Sequence, residues 1–136
     1  MTLNLLVAIA VLIAMLASAI ALYRGGHLPG TLPFWIKRLE NPSRAIRLRT
    51  VQQLSLLGGA QAAYCLTLVS RSDDFAVKQL AVAGLLKARQ PATLKALMAA
   101  STDRDSKIRH LIAQGIASFP DPEVTTLLMD MLRDPE

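Results

Sequence analysis

The chain has 136 residues, of which 52% are hydrophobic, 18% charged and 4% aromatic, and its formal net charge is +5. This length allows one modest domain, and the low charge content with a mean hydropathy of +0.36 excludes an intrinsically disordered chain. A single cysteine excludes an intrachain disulfide framework and a multi-cysteine metal site, and the scarcity of aromatic rings disfavours a protein that stacks nucleic-acid bases.

The first predicted element is a transmembrane helix over residues 3–22, the core of an anchor segment 1–23. These twenty residues are apolar apart from Asn4 and Ser18, and no charge precedes Arg24. A helix of this length rises about 30 Å, which matches the hydrocarbon layer of a bilayer. A cleaved secretory signal is the alternative, because residues 17–21 contain two small-x-small patterns. The length of the stretch and the absence of a preceding Lys or Arg favour the uncut anchor.

Positive charge is concentrated directly after this stretch. Residues 24–60 contain six basic residues and one acidic residue, whereas residues 61–136 contain nine of each. Because basic residues that flank a membrane helix stay on the cytoplasmic side, we expect a single-pass protein of the cell (inner) membrane. Its N-terminus would lie outside and the residues after the helix in the cytoplasm. Arg24, Trp35, Lys37 and Arg38 are candidates for the membrane interface, where cations attract anionic lipid headgroups. Packing of Trp35 against the following domain is the alternative for that residue.

Residues 24–40 are predicted to form a juxtamembrane linker and a capping helix. Gly25-Gly26, Pro29-Gly30 and Pro33 indicate a bend that leads away from the membrane. Residues 31–40 align with the second helix of the repeats described next, with Trp35 on Leu66, so they are a candidate helix that covers the membrane-side end of the repeats.

Residues 41–136 repeat with a period of 31. The aligned positions are spaced 0, 4, 7 and 8 residues apart, which places them on one face of an α-helix. They are Ile46, Val77 and Ile108; Thr50, Ala81 and Ile112; Gln53, Gly84 and Gly115; and Leu54, Leu85 and Ile116. The period predicts three helical hairpins, at 41–71, 72–102 and 103–133, each of which completes its core against the next.

Start signals for both helices recur in each unit. The N-caps predicted for the first helices are Ser43, Asp74 and Asp105. The second helices repeat Leu66, Leu97 and Leu128, and Pro91 and Pro122 stand where a first-turn proline is tolerated. Short turns such as Gly58-Gly59 join the paired helices. The predicted fold is therefore all-α: one transmembrane helix followed by an α-solenoid of about three hairpins.

The repeated pattern resembles HEAT repeats in the short form of bacterial HEAT-like proteins and phycobilin lyases. It consists of a capping Asp, Val/Ile followed by Lys/Arg, Ala, and Gly followed by an aliphatic residue, as in DDFAVKQLAVAGLL and RDSKIRHLIAQGIA. The period is shorter than the roughly 40–47 residues usual for HEAT units. The first unit departs most, with Thr50 and Gln53 at two of the repeated positions. The resemblance implies a curved solenoid that binds other macromolecules and carries no catalytic group of its own.

Two sets of residues are candidates for partner binding. Arg47, Lys78 and Arg109 recur once per unit as a ladder of cations that could hold an acidic surface. The alternative is that these cations only stabilise the fold, through ion pairs between residues four positions apart, Asp74 with Lys78 and Asp105 with Arg109.

The second set is Leu128, Met131 and Leu132, on the last predicted helix. No further unit follows to cover this apolar edge, so either another polypeptide covers it or the sequence belongs to a longer repeat protein.

The sequence predicts neither an enzyme nor a cofactor or metal site. It contains no phosphate-binding loop, dinucleotide fingerprint or zinc spacing, and its paired aspartates are explained as helix caps. Cys65 is expected to be a packed thiol and His110 a partly exposed side chain. We therefore expect a membrane-anchored adaptor with protein partners and with the bilayer around residues 3–22, and neither nucleic acid nor a small-molecule substrate.

Two alternatives remain. The chain could be an accessory subunit recognised through its transmembrane helix, or a HEAT-like lyase or nucleic-acid-binding protein.

Overall fold

The computed structural model describes residues 2–24 and 29–133, which form eight α-helices and no strand. The all-α prediction is thus confirmed. The helices are α1 Thr2–Arg24, α2 Leu32–Leu39, α3 Arg44–Leu57, α4 Gly59–Val69, α5 Phe75–Ala88, α6 Pro91–Ala100, α7 Ser106–Ile116 and α8 Pro122–Met131. They fall into two compact parts, Met1–Glu40 and Asn41–Glu136.

In the first part, α1 is the one helix among the described residues that is long and apolar enough to cross a bilayer. Its candidate span is Val7–Arg24, and every side chain in that range is exposed. A secretory signal sequence would have the same length and apolar composition. A helix that is apolar on all sides has no solvated face, which is typical of a span surrounded by lipid.

The second helix of this part, α2, begins after Thr31, so Pro33 falls in the first turn, where its missing N–H costs no helical hydrogen bond. Trp35 and Leu39 are buried. Residues 25–28 of the predicted bend lie outside the described residues, and the described remainder turns at Gly30, whose φ is +81°.

In the second part, the helices form three hairpins, called units one (α3 and α4), two (α5 and α6) and three (α7 and α8). The first helices pack in a row, α3 against α5 and α5 against α7, while α4 packs on α5 and α6. The fully buried side chains lie along these junctions, among them Leu54, Leu66, Leu85, Leu97, Ile108, Ile112 and Ile116. Each unit therefore buries its apolar face against a neighbour rather than around one common centre.

The start of each unit is a repeated turn. The side chains of Asn41, Ser72 and Asp103 each accept a hydrogen bond from the backbone N–H two residues later, at 2.9, 3.2 and 3.0 Å. The predicted N-caps follow: Asp74 accepts from the N–H groups of Ala76 and Val77, and Asp105 from that of Lys107. Ser43 occupies the N-cap position without a side-chain hydrogen bond, so only part of its prediction holds.

The repeated glycines mark close contacts between units. A Cβ on Gly84 would overlap Ser55 of α3, and a Cβ on Gly115 would lie 2.7 Å from a methyl carbon of Leu86 in α5. Gln53, the corresponding residue of unit one, is exposed, so this constraint does not act on it. Thr50 is buried where the other units have Ala81 and Ile112, and its hydroxyl donates a 2.7 Å hydrogen bond to the Ile46 carbonyl.

Candidate functional site

The junction between units one and two holds a carboxylate between two guanidinium groups. Asp74 receives Arg44 Nε at 2.8 Å and Arg44 Nη2 at 3.3 Å, one bond on each oxygen, and Arg47 Nη2 approaches Oδ2 at 3.3 Å. The hydrogen bond from Arg44 is the largest cause that lowers the pKa of Asp74 from 3.8 to about 2, with the N–H of Val77 and Arg47 adding to it. The same contact raises the pKa of Arg44.

The junction between units two and three also holds an ion pair, but between one ammonium group and a carboxylate at a different repeat position. Lys78 Nζ lies 2.8 Å from Asp103 Oδ2, and only 18% and 15% of the two side chains is exposed. Burial would raise the pKa of Asp103, but the hydrogen bonds from Lys78 and from the N–H of Asp105, together with the positive charges of Lys78 and Arg109, hold it below its ordinary value.

Arginines also fasten the loops that start units one and three. Arg47 Nη1 donates to the carbonyls of Asn41 and Pro42, each at 2.9 Å. Arg109 Nη1 donates to the carbonyls of Asp103 and Arg104 at 2.9 and 3.3 Å, at the same repeat positions. Within the cation ladder, Arg47 and Lys78 therefore join neighbouring units, and Arg109 fastens the loop of its own unit.

The predicted pairing of Asp74 with Lys78 is wrong, because Lys78 binds Asp103 of the next unit and Asp74 is occupied by Arg44 and Arg47. Lys78 leaves its own unit because stacking brings the loop of the following unit within reach of its ammonium group. The sequence pattern placed Arg44 among the juxtamembrane cations and Asp103 among the paired aspartates explained as helix caps, so their role in joining the units was not predicted. Binding of a partner by Arg47, Lys78 and Arg109 stays a prediction. All three side chains already form hydrogen bonds within the repeats.

A different surface is left open by the three first helices, and we call it the first-helix face. One groove, of about 360 Å³, runs between α3 and α5 and is lined by Gln52, Ser55, Leu56, Leu80, Ala83, Gly84 and Lys87. Another, of about 490 Å³, is lined by Gln79 of α5 and by Ser106, Lys107, His110, Leu111 and Gln114 of α7. The two grooves therefore flank α5. Sequence reasoning missed this face, although the signal was present: α3, α5 and α7 contain no Asp or Glu.

The last helix carries the predicted apolar edge. Leu132 is 80% exposed, whereas Leu128 and Met131 are half-buried. Met129, which was not singled out from the sequence, is 56% exposed on the same helix. The residues after Arg133 lie outside the described part of the chain, and binding of a partner at this edge stays a prediction.

The predicted membrane-interface residues differ in exposure. Arg24 and Lys37 are exposed, and the Arg38 guanidinium lies 5.6 Å from the centre of the Phe34 ring. Trp35 is only 9% exposed and stacks edge-on against Phe34 at 5.2 Å. Little indole surface of Trp35 is therefore left for lipid headgroups, and a membrane-interface role for the four residues stays a prediction.

Groups that could support catalysis are sparse in the part of the chain that the structure describes. No group of three or more His, Cys, Asp or Glu side chains that could hold a metal ion occurs there. Cys65 is buried, as expected, and burial raises the pKa of its thiol. His110 is exposed on α7, and His27 lies outside the described residues.

Hairpins that stack in a row, each burying its apolar face on the next, define a helical-repeat protein. A family model for HEAT repeats matches residues 66–136, more than half of the chain, and the chain belongs to this family. The matched residues begin in α4 and include units two and three, while α3, with its divergent Thr50 and Gln53, lies outside them. HEAT repeats are generally protein-interaction modules and typically non-catalytic. A comparison with curated proteins finds no match.

Proposed function

We propose that the chain is a membrane-anchored protein-interaction module, in which α1 holds the repeats beside a bilayer and the repeats bind a partner protein. The observation that carries this proposal is the row of HEAT units with an open, groove-bearing face. Anchoring supports such a role physically, because confinement near the bilayer raises the effective concentration of the repeats toward a membrane-associated partner.

The anchor is supported by the apolar span and by the charges that flank it. Val7–Arg24 is long enough to cross the hydrocarbon layer, and Arg24, Lys37 and Arg38 follow against the single acidic residue Glu40. This asymmetry favours a cytoplasmic repeat domain. Arg44 and Arg47 also follow the span, but their contacts with Asp74 assign them to the fold of the repeats.

The anchor is tested by expressing the full chain in a bacterium and washing the membranes with alkaline carbonate. We expect the chain to stay in the membrane pellet and its mass to be that of the uncut sequence. Protease added to intact spheroplasts should leave the repeat domain undigested. Release by carbonate, or a mass that corresponds to cleavage between residues 17 and 22, would overturn the anchor.

The interaction role is tested separately, by a photo-crosslinking amino acid placed in the full chain at exposed positions. Gln52 and Gln114 report on the first-helix face, and Lys95 on α6 and Thr126 on α8 report on the second helices. A discrete adduct in membranes from the native host is expected at one face and not at the other. Absence of any adduct at all four positions would overturn the role.

A second candidate function is an accessory subunit that its complex recognises through α1. Ala10, Ala14, Ala17, Ser18 and Ala21 are small residues spaced three and four apart, which permits close contact between membrane helices. Replacing residues 3–22 by an unrelated apolar span distinguishes the two. The adaptor keeps its crosslinked adduct after this exchange, whereas the accessory subunit loses it.

A further inference from the structure

Charge on the first helices is one-sided. α3, α5 and α7 carry seven basic residues and no acidic one. Four of the seven, Arg44, Arg47, Lys78 and Arg109, bind carboxylates or carbonyl groups at the unit junctions. The other three, Arg49, Lys87 and Lys107, are exposed and form no ion pair with any residue that the structure describes. Their charges are therefore not neutralised by a carboxylate at the junctions, although Lys107 of α7 lies over the Phe75 ring of α5.

Two of these cations lie on the grooves. Lys87 lines the groove between α3 and α5, where Leu56 and Leu80 supply apolar surface and Leu56 is 78% exposed. Lys107 lines the groove between α5 and α7 beside Leu111, with its ammonium group 6.0 Å from the centre of the Phe75 ring. Each groove therefore combines aliphatic surface with a positive charge.

The spacing of the grooves suits a helix. They flank α5, and neighbouring packed helices are separated by about 8–10 Å. Two residues seven positions apart on a helix are separated by about 10.5 Å along its axis and lie on the same face. A partner helix that crosses α5 can therefore place one apolar side chain in each groove, as in other helix-in-groove complexes. A flat array of lipid headgroups would touch the cations but leave Leu56 and Leu80 of the first groove and Leu111 of the second without an apolar partner.

We propose that the first-helix face binds an acidic amphipathic helix of a partner protein, whose apolar side chains enter the two grooves and whose carboxylates face Arg49, Lys87 and Lys107. This inference rests on the proposed interaction role but not on the membrane anchor. The partner helix must therefore carry aliphatic residues at two positions seven apart, i and i+7. Glu or Asp residues must flank the face that these two residues form.

The probe is a fluorescein-labelled peptide about 18 residues long, so that it can form a helix, with Leu at helical spacing and mostly Glu elsewhere. The full chain is held in phosphatidylcholine nanodiscs, and binding is followed by fluorescence anisotropy. We expect the acidic peptide to bind and a version with Lys in place of Glu not to bind. Raising the salt concentration should weaken the complex, because its charge pairs are exposed.

The decisive variant reverses all three cations, as Arg49→Glu/Lys87→Glu/Lys107→Glu. Its matched control, Arg71→Glu/Arg89→Glu/Lys95→Glu, makes the same change in net charge at exposed positions outside the first helices. The first variant should weaken binding by about tenfold or more and the control by less than about twofold. Circular dichroism and thermal unfolding establish that both variants keep the fold.

The apolar part of the surface has its own pair of variants. Leu56→Asn and Leu132→Asn change side chains that are 78% and 80% exposed, one on the first-helix face and the other on the apolar edge. Only Leu56→Asn should weaken the acidic peptide, by roughly threefold to tenfold, because a partly buried leucine side chain is lost from the complex.

Three outcomes would overturn the inference. They are absence of peptide binding, equal loss in both triple variants, and equal binding of the basic peptide. If the peptide does not bind but phosphatidylserine vesicles bind through the same cations, the face is a lipid-binding surface instead. If the carbonate wash shows that the anchor fails, the same peptide titration is made on the chain in solution without nanodiscs, so the two failures are distinguishable. Adducts confined to Lys95 or Thr126 would instead place the proposed interaction on the second helices.

Discussion

Replacing Gly84 by alanine tests how closely α5 approaches the preceding unit. The added Cβ would overlap Ser55 Oγ and lie 2.9 Å from Leu66 Cδ1 and 3.2 Å from Ser55 Cβ. The hydroxyl can rotate away only by losing its 2.9 Å hydrogen bond to the Val51 carbonyl. The Cβ of Ser55 cannot rotate away, because it is attached to the backbone of α3. The helices must therefore move apart.

Two opposing effects set the magnitude. Alanine is favoured over glycine inside a helix by about 1 kcal/mol. Overpacking of a close contact costs about 1–3 kcal/mol. The steric cost should exceed the gain here, because two of the three nearest atoms belong to Ser55 and one of them is fixed. We expect a net loss of about 1 kcal/mol, which lowers the midpoint of thermal unfolding by roughly 4–8 °C for a domain of this size.

The assay is thermal unfolding of the full chain in detergent, followed by circular dichroism at the helical band. Gly115→Ala should destabilise less, because its three nearest atoms, Cδ1, Cδ2 and Cγ of Leu86, belong to the outer part of one side chain, which can shift without moving a helix backbone. Gln53→Ala, at the corresponding exposed position of unit one, should be close to neutral. The double variant Ser55→Ala/Gly84→Ala should recover part of the loss. A higher midpoint for Gly84→Ala would refute the steric argument.

Three further predictions concern individual side chains. The pKa of Asp74 falls from 3.8 to about 2, so the stability that its carboxylate contributes is complete above about pH 4 and is lost as the pH falls through 2. Asp74→Asn should therefore make the free energy of unfolding less dependent on pH between these values. If thermal unfolding shows the same pH dependence for the variant and the unchanged protein, this explanation is wrong. Lys78→Met leaves the Asp103 carboxylate without its ammonium partner and should lower the free energy of unfolding in urea by about 1–3 kcal/mol. The double variant Lys78→Met/Asp103→Asn should recover part of this loss. Equal losses in the single and double variants would argue against the ion pair. Cys65 is buried with a raised pKa, so a thiol reagent should label it only after denaturation, and rapid labelling of the native protein would show that α4 opens.

Much of the fold was predictable because its signals are local. Pro91 and Pro122 begin α6 and α8 as predicted, and Asp74 and Asp105 cap α5 and α7. A cap, a first-turn proline and an apolar face act within a few residues of chain, where spacing alone states the geometry. Repetition of these signals every 31 residues then indicated three hairpins, and the family match to residues 66–136 agrees with the type of repeat.

The candidate site was less predictable because it depends on distances between units. The spacing of four residues favoured Asp74 as the partner of Lys78, yet the ammonium group binds Asp103, 25 residues further on. The helical pattern is compatible with an ion pair between Lys78 and either carboxylate. Only the stacking of the hairpins decides which of the two lies within reach of the ammonium group. The grooves beside α5 are likewise made by two helices each, so neither helix shows them in its own sequence.

By itself, the sequence determined which segments become helices, where most of them begin and most of the side chains that turn inward, because backbone hydrogen bonds and capping act between near neighbours in the chain; Gln53, aligned with the inner face, is exposed. Tertiary structure alone decided which cations are used in joining the units and which remain on the surface. Arg44 reaches Asp74 across 30 residues, whereas Lys87 faces solvent beside a groove. The physical reason is that an ion pair forms between whichever charges the packing of apolar faces brings within a few ångströms.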